Sequence, residues 1–142
     1  MRRRIGHVTL TVTDVDRSVN FYGALLDLPF VHAGRDEVGQ FAVIGDAELR
    51  IGFRRHSQTS RHERFDPTRI GLDRPALHVD GGGALQAWQR RLDELQAPHS
   101  GIVSDAWGWH LTASDPDEIA VEFYAPRQAQ LDAERDSGQL NR

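Results

Sequence analysis

Cysteine is absent from the 142 residues of this chain, which removes disulfides, thiolate metal sites and a cysteine nucleophile from consideration. Long apolar runs are missing too: no stretch approaches the roughly 18 consecutive apolar residues of a membrane span. The basic start Met1-Arg2-Arg3-Arg4 has no apolar segment behind it to make a secretion signal. There is no glycine-rich phosphate loop, no nucleophile elbow and no paired-cysteine metal motif. The arginines are scattered and the net charge is -4, which argues against nucleic acid as the partner. With 39% apolar residues and a mean hydropathy of -0.53, the core is modest. These absences predict a soluble, cytoplasmic protein with neither a nucleic-acid nor a membrane partner.

What the chain does have is a repeat. Val8, Leu10 and Val12 alternate with Thr9, Thr11 and Thr13, the period of two that marks a half-buried strand. Asp14 is a candidate N-cap, and Val15, Val19, Tyr22 and Leu26 follow at helical spacing. Pro29 disfavours helical geometry in the residue before it, so that helix closes near Asp27. The second half answers with a strand over Leu72 to Val79, a glycine break at Gly81-Gly82-Gly83, and a stripe of Leu85, Trp88, Leu92 and Leu95. Strand, turn and strand then follow in both halves, over Phe41–Ile44 and Leu49–Ile51 in one, and over Trp109–Leu111 and Val121–Phe123 in the other. A half-unit of this size cannot bury its own sheet face, so the copies are expected to share one core. The expected organisation is one domain over residues 1–126, with a first module at about 5–55, a polar connection at about 56–69 and a second module at about 70–126. Residues 127–142 make a polar tail.

Gly6-His7-Val8, Arg17-Ser18-Val19-Asn20-Phe21-Tyr22, Asp115-Pro116-Asp117 and Val121-Glu122-Phe123-Tyr124, in this order and spacing, resemble the vicinal oxygen chelate superfamily, which includes glyoxalase I, bleomycin-resistance proteins and extradiol dioxygenases. The resemblance implies an α+β fold of two βαβββ modules, forming half-barrels around a shared cavity. It also implies a homodimer. In metal-dependent members the opening and closing strands of both modules supply His, Gln or Glu ligands. The corresponding positions here are His7, a residue near Arg50, Arg74 and Glu122.

Two of those four are arginines, and a guanidinium offers only donors and stays protonated, so it cannot ligate a cation. No metal cofactor is therefore expected, and Arg50 is expected to pair with Glu122. Strand parity adds Arg54, His78 and Tyr124 to the candidate cavity residues. Trp107 and Trp109 share a face and offer a stacking wall if it looks inward. His32, His56, His62, His99 and His110 read as surface or loop histidines. The expected function is sequestration of an aromatic or anionic small molecule, of the kind met in antibiotic resistance, on His7, Arg50, Arg54, Arg74, His78, Trp107, Trp109, Glu122 and Tyr124. The alternative is a metal-dependent lyase, isomerase or dioxygenase in which His7, His78 and Glu122 hold a divalent ion. A metal-free enzyme would use Glu122 or His7 as its base.

Overall fold

The computed structural model describes residues 3–127, so the expected tail falls outside the described residues except for Arg127. Two compact units emerge: one runs to Asp66 and takes in Asp115–Glu118, and the other comprises Pro67–Ser114 and continues from Ile119. In the first unit the order is β1 (Val8–Thr11), α1 (Val15–Leu26), β2 (Phe30–Arg35), β3 (Gly39–Gly45) and β4 (Arg50–His56). In the second it is β5 (Ala76–His78), α2 (Gly82–Glu94), β6 (His99–Ser104), β7 (Gly108–Ser114) and β8 (Ala120–Pro126). Each is a βαβββ module with a four-stranded sheet, ordered β1-β4-β3-β2 and β5-β8-β7-β6. No helix among the described residues is long and apolar enough to cross a membrane.

Alternation in the strands decides which side each helix covers. In the first sheet Leu10, Ala42, Ile44, Ile51 and Phe53 are buried, and Phe53 meets Tyr22 of α1 with ring centroids 5.2 Å apart. Helix α1 begins where Asp14 Oδ1 accepts from Arg17 N at 3.0 Å and ends at Asp27, whose φ of 53° is left-handed. In the second sheet Leu111, Val121, Phe123 and Ala125 are buried, and Trp88 of α2 stacks on Phe123 at 4.6 Å. The intervening residues of each strand therefore occupy the helix-free side. On that side the parallel pairing sets Thr9 beside Gly52 and Thr11 beside Arg54, and in the second sheet Ala76 beside Glu122 and His78 beside Tyr124.

A buried polar cluster anchors the segment Asp115–Glu118 within the first unit. Asp117 Oδ2 accepts from Thr13 N at 2.8 Å, and Asp117 Oδ1 accepts from the Thr13 hydroxyl at 2.5 Å and from Arg17 Nη2 at 2.8 Å. Tyr22 donates its hydroxyl to Asp115 Oδ2 at 2.9 Å. Burial, followed by the charge of Asp115, drives the phenol far above its usual pKa.

Candidate functional site

Glu122 sits on β8 between Val121 and Phe123, which turn toward α2, so its carboxylate projects from the opposite side. It is only 7% exposed, and a carboxylate so buried needs partners. Both oxygens have one. Arg74 Nε donates to Oε2 at 2.8 Å, and His110 Nδ1 lies 3.0 Å from Oε1. The chain of charges continues outward in both directions. Arg74 Nη1 donates to Asp73 Oδ1 at 2.7 Å, while His110 Nε2 lies 3.0 Å from Asp105 Oδ2, close enough for charge attraction but not aligned as a hydrogen bond. Asp105 uses its other oxygen, Oδ1, to accept from Trp107 N at 2.7 Å and Gly108 N at 3.1 Å, which fixes the turn between β6 and β7. The His110 ring leans on Tyr124 at 5.1 Å.

This network biases both titrations. Burial works against a charged His110, but its contacts with Glu122 and Asp105 outweigh it and raise its pKa. Burial also works against charge on Glu122, and there the bonds from His110 and Arg74 prevail and lower the pKa. The result is a carboxylate fixed between a guanidinium and an imidazole whose protonated form it favours.

On the first sheet the corresponding side is organised by Arg54. Its Nη1 and Nη2 meet Asp36 Oδ1 and Oδ2 at 2.8 and 3.0 Å, a fork-to-fork pair. That bond, with amide donation from Gly39 and Val38, holds the Asp36 carboxyl at about 2. The Arg54 guanidinium lies 5.2 Å from the centre of the Phe41 ring, and His32 meets that ring edge-on at 5.2 Å. Gly34 makes room for Phe41, since a Cβ there would come within 2.9 Å of the ring. A cleft of about 600 Å³ opens at the start of β4, lined by Arg4, Ile5, Asp46, Glu48, Leu49 and Arg50 among others.

Several expectations need revision. Glu122 takes its guanidinium from Arg74, not from Arg50, because β5 runs parallel to β8 and brings the residues preceding Ala76 alongside it. Arg50 is exposed at the start of β4. His7 is exposed and precedes β1. His78 shares the side of Glu122 but keeps a side chain 54% exposed, 3.6 Å from Asp80. Trp109 pairs with Ala125 and so has the parity of Leu111 and Phe123, which is the helix-covered side. There the Arg127 guanidinium covers its ring at 4.9 Å. Trp107 lies in the turn before β7 and is 68% exposed. Trp109 therefore has the opposite parity to Glu122, and Trp107, outside the strand, has no register partner. His110, read as a surface histidine, stands opposite Tyr124 and beside Glu122. Its alternation with Leu111 and Ala113 was the available signal.

A divalent ion does not fit the donor set. Both Glu122 oxygens are engaged, one of them by a guanidinium, and among the described residues no group of three His, Cys, Asp or Glu side chains converges to hold a metal.

The family model for the Glyoxalase/Bleomycin resistance protein/Dioxygenase superfamily matches residues 4–123. A glyoxylase/bleomycin resistance protein/dioxygenase domain from Frankia sp. EAN1pec is 31% identical, with a TM-score of 0.82 over 90% of this chain and 95% of its own. A mutant of the fosfomycin resistance protein FosX from Listeria monocytogenes, in complex with Mn(II) and 1S,2S-dihydroxypropylphosphonic acid, is 16% identical, with a TM-score of 0.68 over 92% of this chain and 97% of its own. Lactoylglutathione lyase from Agrobacterium tumefaciens is 18% identical, with a TM-score of 0.67 over 87% and 94% of the two chains. No curated protein matches.

Proposed function

We propose that this chain, which belongs to the glyoxalase/bleomycin resistance protein/dioxygenase superfamily, binds a small molecule on the helix-free sides of its sheets and sequesters it, with no bond made or broken. The observation that carries this reading is Arg74 on Glu122, at 2.8 Å. The resemblance of the strand pattern puts metal ligands at both positions, and a guanidinium at one of them supplies a permanent internal cation in place of an ion. The same network disfavours a metal-free reaction, because a carboxylate held below its usual pKa is a weak general base.

The test is a titration with Mn(II), Zn(II) and Ni(II) of protein purified without chelator. Less than about a tenth of an equivalent of bound metal is expected, before and after reconstitution. A stoichiometric ion released by Glu122→Gln would favour the alternative, a metal-dependent enzyme of the superfamily. Calorimetry against a panel of planar antibiotics addresses binding directly, and silence across the panel would count against sequestration. The reading includes a homodimer, for which sedimentation velocity should give about twice the chain mass of 16.0 kDa.

A further inference from the structure

We infer that the ligand of this protein is an uncharged planar molecule bearing a carbonyl oxygen, and that anions are selected against. The inference rests on the binding function proposed above and narrows its ligand class.

Its ground is that Arg74, His110 and Arg54, on the helix-free sides, already have carboxylate partners. On the second sheet, Arg74 and His110 face three carboxylates: Glu122, Asp73 and Asp105. On the first, Arg54 is neutralised by both oxygens of Asp36. At the opposite end of β4, Arg50 and Arg4 share their cleft with Asp46 and Glu48. A carboxylate or phosphate brought to Arg74 or to Arg54 would meet at least as many fixed negative charges as positive ones, so repulsion offsets attraction. The anion would still lose its hydration. An anion receptor needs the reverse arrangement, with cations left uncompensated.

Hydrogen-bond donors remain once the charges are matched. Arg74 uses Nε and Nη1 on carboxylates and Arg54 uses Nη1 and Nη2. Arg74 Nη2 and Arg54 Nε take no part in these bonds. An N–H directed at a neutral carbonyl forms a bond to a charged donor without bringing in a second charge. Flat apolar surface lies close by on each sheet: Phe41 beneath Arg54 on one, and Tyr124 leaning on His110 on the other. Planar rings stack favourably on such surfaces.

The experiment compares ligand twins that differ only in charge. Coumarin is titrated against coumarin-3-carboxylate, and 1,4-naphthoquinone against its 2-sulfonate, by calorimetry at pH 7.5 with the full chain. The neutral twin should bind at least about tenfold more tightly, with little change when salt is raised several-fold. Asp36→Asn removes an exposed carboxylate and leaves Arg54 uncompensated, so it should move the preference toward the anionic twin. Glu122→Gln should do the same on the other sheet, and circular dichroism verifies that both variants are folded. Equal or tighter binding of the anionic twins by the unaltered protein would overturn the charge selection and leave sequestration standing. If neither twin of either pair binds, both inferences fall.

Discussion

Replacing Asp117 by Ala should cost about 3 to 5 kcal/mol of folding stability, read from urea denaturation at pH 7. This carboxylate is 3% exposed and accepts three hydrogen bonds, two from Thr13, itself only 5% exposed. Truncation leaves a buried amide and a buried hydroxyl without acceptors, and each orphaned group costs about 1 to 3 kcal/mol. The Arg17 contribution is smaller, because its side chain is 43% exposed. Asp117→Asn keeps one acceptor oxygen but turns an amide toward the remaining donor, so its loss should be intermediate. If Asp117→Ala unfolds at the same urea concentration and with the same slope as the parent, the cluster has no energetic weight.

The second large effect should appear against pH. The His110 pKa is raised in the folded protein, so its contribution is complete below its unfolded value and is lost as pH rises through the folded value. The Glu122 pKa is lowered, so its contribution is complete above its unfolded value and is lost as pH falls through the folded value. Stability should therefore peak between the ordinary carboxylate and imidazole ranges and decline on both sides. His110→Gln, which keeps a donor near Glu122, should flatten the alkaline decline and leave much of the acidic one. Denaturation curves at pH 3, 4, 5.5, 7 and 8.5 measure this, and an unchanged alkaline slope in the variant would remove His110 as its source.

The modular architecture was readable because its signals are local. The alternating threonines of β1, the Asp14 cap and the apolar stripes of both helices each lie within one short window of sequence. Strands β2 and β6 were harder to place, since β2 is exposed along nearly its whole length and carries no alternation to detect. Glu122 stood out as a carboxylate between two core residues, but its partners did not. Pairing depends on register, and only the parallel alignment of β5 with β8 puts Arg74 in reach. Asp36 occupies a turn whose sequence gives no hint that Arg54 lies across from it, 18 positions away. The indole wall was conditional on its face looking inward, and the register gives Trp109 the parity of Leu111 while His110 has that of Glu122. One composition signal was available: all 17 basic residues are arginine. Every such side chain keeps its charge at working pH and offers a planar donor fork suited to carboxylates, so extensive ion pairing is the natural outcome.

The stack of Trp88 on Phe123 gives the molecule a built-in optical probe. Phe123 is the immediate neighbour of Glu122, so an event that shifts β8 by a fraction of an ångström changes the packing around an indole on the far side of the same strand. Trp107 and Trp109 add emission from more exposed positions, and replacing both with phenylalanine would leave a single emitter next to the strand that carries Glu122. Ligand occupancy could then be followed without a label.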